Sequence, residues 1–378
     1  MSKVVVGLSG GVDSAVTALL LIEKGYEVIG VTMTSFEQNQ SELNDAVNIA
    51  KTLGIRHEII DMSRVFKEAV VDYFVREYIS ARTPNPCIMC NPYVKFESLM
   101  RMMISEGADY IATGHYAKII KLENNRYTIA VNKTQKDQTY ALCRLPQNQL
   151  EHLLTPLSDY TKDEVRQMAT DAGLSVATKK DSQDICFVQN GKYFEFIKQY
   201  LSQNQGIAND LKSLCNVCDF EKEGNFVDEE GNILGRHNGI SHYTIGQRKK
   251  LGLSLNKPVF VKELRLLSNE VVISTAGDVY QNELICSNVA LLAVDYIEND
   301  TRLLGKIRYA HEGTFCTVER LCEENQKNEE NQKNEGNQIN EQSVRYKVTF
   351  EKPVRAVTPG QAIVFYKDDF VYASGIIC

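Results

Sequence analysis

An apolar run, Val4-Val5-Val6-Gly7-Leu8, leads directly into Ser9-Gly10-Gly11-Val12-Asp13-Ser14, and that segment into a helix-forming stretch from Ala15 to Lys24. A strand, a glycine-rich turn and a helix in this register are compatible with few folds, chiefly a parallel α/β sheet whose turn lies at the carboxyl end of a strand. Two glycines let the backbone approach an anion, serine hydroxyls donate to it, and the first N–H groups of the helix point at it. The segment therefore reads as a cradle for pyrophosphate. It contains no lysine, and the G-x-x-x-x-G-K-[ST] pattern of the usual kinase and GTPase cradle is absent. The competing reading is a tight glycine-rich turn with no ligand.

The first 115 residues continue the alternation. Strands are predicted over 3–8, 26–33, 56–61 and 109–113, and helices over 13–24, 41–53, 63–80 and 94–106. Gly25, Gly54 and Gly107 each follow a helix, where a left-handed cap suits glycine. In such a sheet Ser9 to Ser14, Met33 and Thr113-Gly114-His115 all fall at strand carboxyl ends and should converge on one nucleotide pocket. Thr161 and Glu164 read as a capping box. A short strand and loop over 179–188 carries Cys186, and a closing helix is predicted over 192–201. Beyond about residue 202 the pattern becomes short alternating strands, with a hairpin turn at Glu230-Gly231-Asn232 and, from 277, the strand spacing of a small antiparallel barrel. The expected fold class is thus α/β, a doubly wound parallel sheet over 1–201, followed by a small β-rich domain over 202–276 and an antiparallel β-barrel over 277–378. Residues 324–341 repeat a hexapeptide three times with one apolar residue, so 323–343 is expected to be a disordered excursion between barrel strands.

The net charge of −7 argues against a nucleic-acid binder until that excursion is set aside. Residues 323–343 hold six Glu and two Lys, a net −4, which leaves −3 for the rest of the chain. A near-neutral body can carry a local basic face. No apolar run approaches the roughly 20 residues of a spanning helix, and Met1 leads straight into the first strand, so a cytoplasmic protein without membrane contact is expected. Ten cysteines in a reducing compartment point to catalysis, metal binding or burial rather than a disulfide framework. Cys87 and Cys90 end a loop stiffened by Pro84 and Pro86 near a helix start, where the dipole favours thiolate; Cys186 lies beside positive charge. These three thiols are the candidate nucleophiles. Cys215 and Cys218 with Cys87 and Cys90 would make an alternative zinc site; Cys143, Cys286, Cys316, Cys322 and Cys378 read as packing residues.

The strand, S-G-G-x-D-S and helix resemble the PP-loop of the ATP pyrophosphatases, which split ATP between the α and β phosphates and adenylate a substrate oxygen. The resemblance then narrows. S-G-G-V-D-S at 9–14, T-P-N-P-x-x-x-C-N at 83–91, A-T-G-H-Y at 112–116, K-D-Q at 136–138, D-S-x-x-I-C-F at 181–187, Y-T-I-G-Q-R at 243–248, R-Y at 308–309 and T-P-G-Q at 358–361 occur in the order seen in the tRNA-specific 2-thiouridylases. What this resemblance implies is thiolation at carbon 2 of a wobble uridine in tRNA. ATP, with Mg²⁺, would lie against Gly7, Leu8, Ser9, Gly10, Gly11, Val12, Asp13, Ser14, Met33 and Gly114. Cys186 matches the family's persulfide carrier and Cys90 the thiol that releases the sulfur and closes a transient disulfide with it. Asp13 would orient magnesium or phosphate, or is ordinary helix capping.

By the same resemblance, Asn85, Pro86 and Cys87 would face the target base, although many relatives carry an aspartate where this chain has Cys87. His115, Lys136, Asp137, Gln138, Arg308, Tyr309 and Gln361 match tRNA-contacting positions, and Arg248-Lys249-Lys250 adds basic charge. His115 is otherwise a structural histidine at a strand end, Gln361 a turn residue, and His237 carries no motif beyond a glycine turn. Two alternatives stay open: a [4Fe–4S] cluster on Cys87, Cys90 and Cys186, and a PP-loop ligase or amidating enzyme, whose chemistry needs no paired thiols. A non-enzymatic, metal-stabilised RNA-binding module has no use for the phosphate loop. Thiolation further requires a sulfur donor upstream, a cysteine desulfurase or a relay protein.

Overall fold

In a computed structural model of the chain, Val4, Val5 and Val6 form the fully buried middle of strand β1 (Lys3–Gly7). The structure describes residues 1–35, 40–132, 137–179, 185–188, 191–207, 222–255, 257–274, 279–321 and 344–378. They divide into two units, one comprising Met1–Tyr73, Pro86–Phe196 and Asp368–Tyr372, the other Phe74–Asn85, Ile197–Lys367 and Ala373–Cys378. Among the described residues no helix is long and apolar enough to cross a membrane.

The first unit is built on β1, β2 (Glu27–Thr34), β3 (Arg56–Asp61) and β4 (Tyr110–Ala112), with the hairpin β5 (Lys118–Lys121) and β6 (Tyr127–Ala130), and the short β7 (Leu153–Leu154). The sheet runs β3-β2-β1-β4-β7, parallel throughout. β-Branched valines suit a central strand covered on both faces. Helices α1 (Val12–Glu23) and α2 (Gln40–Leu53) supply part of that cover: Val12, Ala15, Val16, Ala18, Leu21, Ala46 and Ile49 share one core with Val4, Val6 and Leu8. Each fully buried Val, Leu or Ile of this core contributes roughly 1.5–3 kcal/mol, and each Ala less. After β3 the chain returns to the other side of β1 to lay down β4, so the strand order reverses between β1 and β4. That switch point opens a crevice at the strand carboxyl ends.

Gly25, Gly54 and Gly107 take the left-handed conformation, with φ of 82°, 65° and 60°. The capping box is present: Thr161 N–H donates to Glu164 Oε2 at 2.7 Å and Glu164 N–H to Thr161 Oγ1 at 3.3 Å. Two of the predicted helices differ from the expectation. A π-turn, Lys67–Val71, interrupts the first between Ser63–Phe66 and Asp72–Ile79; the second begins earlier, at Pro86, and runs through Pro86–Cys90, a π-turn over Asn91–Phe96, and Glu97–Glu106. Proline fits a first helical position, where its missing N–H costs nothing, so Pro86 starts the helix that was expected eight residues later. The strand expected over 179–188 is not formed by Lys179 or by Ile185 to Val188, and 180–184 lies outside the described residues.

The second unit holds the small sheet β10-β11-β8-β9, made of β8 (Gly224–Val227), β9 (Ile233–His237), β10 (Phe260–Arg265) and β11 (Glu270–Ser274), around Phe226, Ile240, Val261, Val271 and Ile273. The β8–β9 turn falls where it was expected, with Gly231 at φ 89°. The barrel follows: β12 (Tyr280–Leu291), β13 (Thr301–Lys306), β14 (Thr314–Leu321), β15 (Arg345–Arg355), β16 (Ala362–Lys367) and β17 (Phe370–Ile377), in the order β12-β15-β14-β13-β16-β17. Pairing of β12 with β17, Cys286 opposite Ile377 and Leu291 opposite Ala373, closes it. The parallel sheet, the small β-rich domain and the closed antiparallel barrel read from the sequence are all present. Cys143, Cys286 and Cys316 are fully buried, as expected. Cys378 is not: β17 ends at Ile377, which leaves Cys378 exposed beyond the strand, its Sγ 3.3 Å from Ser287 Oγ. Cys322, the Cys215/Cys218 pair and the hexapeptide repeat lie outside the described residues.

The two loop glycines differ in what they tolerate. Gly10 has φ +71°, and a Cβ there would lie 2.2 Å from the Glu42 carbonyl oxygen; at Gly11 the nearest atom is Ser9 Oγ at 3.4 Å. Gly10→Ala is expected to cost about 1–3 kcal/mol of unfolding free energy, and Gly11→Ala less than about 1 kcal/mol, measured by urea denaturation. Equal losses would show that the loop does not hold this conformation.

Candidate nucleotide and thiol site

The loop from Ser9 to Ser14 sits at the carboxyl end of β1. Leu8 N–H still pairs with Val31 O at 2.8 Å, after which the chain turns inward on itself. Ser9 N–H donates to Ser14 Oγ at 3.2 Å, the two hydroxyl oxygens are 3.3 Å apart, and Ser14 Oγ donates to Gly11 O at 3.0 Å. Gly11 is the cap of α1, with no side chain bonded to the helix N–H groups. A helix opening without a capping side chain presents its first donors to whatever anion comes. The residues around the loop fit a phosphate chain: a glycine that admits no Cβ, two hydroxyls and an uncapped helix start. Gly7 lies against Leu99 and Met33, a Cβ on it falling 3.8 Å from Met33 Cε, and Ser98 Oγ donates to Met33 Sδ at 3.1 Å. Gly114, past the end of β4, packs so closely on Asp13 that a Cβ would be 2.7 Å from its carbonyl carbon. Gly7, Met33, Gly114 and the loop thus share one end of the sheet.

Asp13 is the most heavily bonded group there. Its Oδ1 accepts from the Tyr116 hydroxyl at 2.8 Å and from Lys162 Nζ at 2.6 Å. Lys179 Nζ donates to the Gly10 carbonyl at 3.0 Å and to Asp45 Oδ2 at 2.7 Å. A loop without a lysine of its own therefore carries two, both brought from more than a hundred residues away. The sequence reading missed Tyr116, Lys162 and Lys179. One signal was available: Lys162 is the first residue of its helix, where a cation opposes the macrodipole.

The thiols lie in the same unit. The helix from Pro86 places Cys87 in its first turn and Cys90 one turn on, while Phe187, buried between Phe66 and Phe196 at ring-centroid distances of 5.6 and 5.3 Å, anchors the residue after Cys186. The charges of Cys87, Cys90 and Cys186 act on one another, and the half-buried Lys95, in the π-turn after Cys90, acts on all three and on His115. Lys95 was not singled out from the sequence, because only the wider π-turn brings it to the thiols. The expectation of low thiol pKa values is corrected. Cys87 and Cys186 reach the surface and Cys90 is half-buried, yet the protein around the sulfurs costs the thiolate part of its hydration and pushes all three thiols up, Cys186 to about 11, where the other two thiols add to the rise and Lys95 partly offsets it.

His115 donates to or accepts from Thr113 Oγ1 at 2.8 Å through Nδ1 and stacks on Phe96 at 5.8 Å and 29°. Burial, then Lys95, holds its pKa well below the usual histidine range, so the ring is neutral at pH 7. Among the described residues no three His, Cys, Asp or Glu side chains gather as metal ligands, so the three cysteines as placed do not form a cluster-binding set.

Other residues expected at tRNA are engaged within the protein. Asp137 accepts from Thr139 N–H at 3.1 Å and Thr139 Oγ1 at 2.9 Å, and Gln138 holds the Tyr116 backbone through Tyr116 N–H to Oε1 at 2.8 Å and its own N–H to Tyr116 O at 3.1 Å. Lys136 lies outside the described residues. Pro86 opens the thiol helix; Asn85, Arg308, Tyr309 and Gln361 belong to the second unit. There Arg308 Nη1 donates to Arg355 O at 2.8 Å, Tyr309 is 58% exposed, and Gln361 Nε2 donates to Thr83 O at 2.7 Å. Arg248 and Lys250, with Lys257, line a cavity of about 260 Å³ in that unit. His237 is buried and structural, bonded to Asn269 O at 3.2 Å and Gly239 N–H at 3.1 Å.

Residues 2–190 match the family described as tRNA methyl transferase HUP domain, 212–275 the tRNA methyl transferase PRC-barrel domain and 327–377 the aminomethyltransferase beta-barrel domain. The chain is 46% identical to the tRNA-specific 2-thiouridylase MnmA of Lachnoclostridium phytofermentans over 391 residues, covering 100% of this chain and 99% of that protein. It is 40% identical to the MnmA of Clostridioides difficile, covering 99% and 98%. The chain belongs to the tRNA-specific 2-thiouridylase family. Its phosphate loop, Cys90 and Cys186 stand at positions of the motifs quoted above, whereas Cys87 falls on a position those motifs leave open.

The raised thiol pKa values have a direct readout. Alkylation of Cys186 by iodoacetamide, followed by mass spectrometry, is expected to accelerate as pH rises toward about 11. Acceleration that is complete by pH 8 would mean that the surrounding protein does not raise this thiol.

Proposed function

We propose that the protein is an ATP-dependent tRNA sulfurtransferase that converts the wobble uridine to 2-thiouridine. The observation that carries this reading is the full-length likeness to tRNA-specific 2-thiouridylases in a chain that holds Cys90, Cys186 and a phosphate loop in one unit. ATP and tRNA are the substrates. The uridine O2 attacks the α-phosphorus, the bond to the β-phosphate breaks, and pyrophosphate leaves along the loop, whose N–H groups and hydroxyls are set for that charge. Mg²⁺, when bound with the nucleotide, neutralises part of the pyrophosphate charge, and Asp13 is the carboxylate at the loop that would hold it. Adenylation makes O2 a leaving group.

A persulfide on Cys186, delivered by a cysteine desulfurase or relay protein, then attacks carbon 2 through its terminal sulfur, and AMP departs. Cys90 attacks the Cys186 sulfur; the sulfur–sulfur bond breaks, the thiocarbonyl is released, and a Cys90–Cys186 disulfide forms. A cellular thiol reductant returns it to two thiols. Thiols held protonated are poor nucleophiles until a proton is lost, and the Lys95 ammonium favours the thiolate once it forms. Asn85, Pro86, Cys87 and the neutral His115 are the proposed lining for the extruded base, with Arg308 and Tyr309 on the tRNA. A PP-loop ligase or amidating enzyme would leave the thiol group without a task.

Cys186→Ser should abolish thiolation, scored by retarded migration of tRNA in a mercury-containing gel, while tRNA affinity stays within about twofold. Retained thiolation would reject the carrier assignment. Asp13→Ala should lower tRNA-dependent pyrophosphate release from ATP by at least about tenfold; an unchanged rate would leave Asp13 a purely structural group.

A further inference from the structure

We propose that Lys162 binds the pyrophosphate portion of ATP, standing in for the lysine that the loop lacks, and that Lys179 is the positioning residue that keeps the loop in shape for it. This rests on the reading of the loop as an ATP site. The leaving pyrophosphate carries several negative charges, and the loop itself offers only neutral donors and the Asp13 carboxylate. Lys162 and Lys179 are bonded directly to that loop, yet differently. Lys179 divides its donors between Asp45 at 2.7 Å and the Gly10 carbonyl at 3.0 Å, so it fixes the residue whose φ of +71° shapes the turn. Lys162 Nζ lies 2.6 Å from Asp13 Oδ1, on the carboxylate of the loop rather than on its backbone, and its side chain is 18% exposed.

Two features make Lys162 the exchangeable cation. First, it occupies the first position of its helix, the wrong end for a cation, so helix stability does not explain it. The helix is held over the loop by Val165 and Ala169, which are fully buried in the core that includes Val12 and Val16. Second, Asp13 Oδ1 also accepts from Tyr116, so the carboxylate keeps a donor when the ammonium turns toward phosphate. A flexible stem with three donors suits such a turn.

The test compares full-length wild type with Lys162→Met, Lys162→Arg and Lys179→Met, measuring ATP and AMP binding by equilibrium dialysis. In Lys162→Met the Kd for ATP should rise at least about tenfold, that for AMP should stay unchanged, and Lys162→Arg should recover most of the loss. Lys179→Met should weaken ATP and lower the unfolding temperature together. No loss of ATP affinity in Lys162→Met, or equal loss for ATP and AMP, overturns the proposal; the second outcome is what a purely structural ion pair would give. Wild type that binds no ATP would refute the nucleotide site itself instead. Should Lys162→Met fail to fold, amine acetylation of the wild type answers the same question: pyrophosphate should protect Lys162 several-fold, and unchanged labelling overturns the assignment.

Discussion

The carboxylate of Asp13 joins three stretches that lie far apart in the chain: the loop after β1, the segment after β4 through the Tyr116 hydroxyl, and the helix that begins at Lys162. Its backbone is equally confined, because Gly114 leaves no room for a side chain against it. Hydrogen bonds of this kind, partly shielded from water, are stronger than at the surface and support one another. The arrangement therefore sets the shape of the crevice at the β1/β4 switch point. The hydroxyls of Ser9 and Ser14 and the uncapped start of α1 take their positions from it. The same carboxylate is the counter-ion of Lys162.

At the thiols two effects compete, and their sizes decide the outcome. A helix start favours a thiolate by about 1 kcal/mol or less, under one pKa unit. Loss of hydration in packed protein can move a group by several units. Cys90 is also a full turn into the helix that Pro86 opens, beyond the reach of most of the dipole's field. Desolvation wins, and the mutual repulsion of three thiolates adds to it. A cluster of neutral thiols is poorly reactive toward chance electrophiles. The positive charge of Lys95 keeps the cost of forming one thiolate down while doing little to favour several at once.

Much of this was legible in the sequence, for reasons specific to each segment. A run of three valines before glycine and serine could hardly be other than a buried parallel strand and its turn, and the left-handed glycines after the helices followed from the absence of a Cβ. The β5–β6 hairpin escaped notice because four-residue strands with polar ends, Lys118 and Lys121 flanking two isoleucines, leave too short a pattern. The start of the thiol helix escaped because Pro84 and Pro86 read as loop residues, whereas Pro86 occupies the one helical position where proline is welcome. Lys162 was hidden by its neighbour: Thr161 and Glu164 explain the helix start so fully that the lysine between them looked incidental.

Residues of the family motifs fall into two kinds once their bonds are known. Asp137 accepts from the N–H and hydroxyl of Thr139, the first residue of a short helix, Gln138 clamps the backbone of Tyr116, and Gln361 holds Thr83 O while Gly360 at φ 90° lets the same turn lie against Thr83 N. Each spends its polar atoms on the protein's own backbone, and two of them act on segments that lead into the site: Gln138 on the residue that bonds Asp13, Gln361 on the segment that precedes Cys87. Tyr309, by contrast, presents a ring to solvent. A motif position thus does not by itself imply contact with a partner. Loss of Gln138 should therefore propagate through Tyr116 to Asp13 and lower nucleotide use and sulfur transfer together.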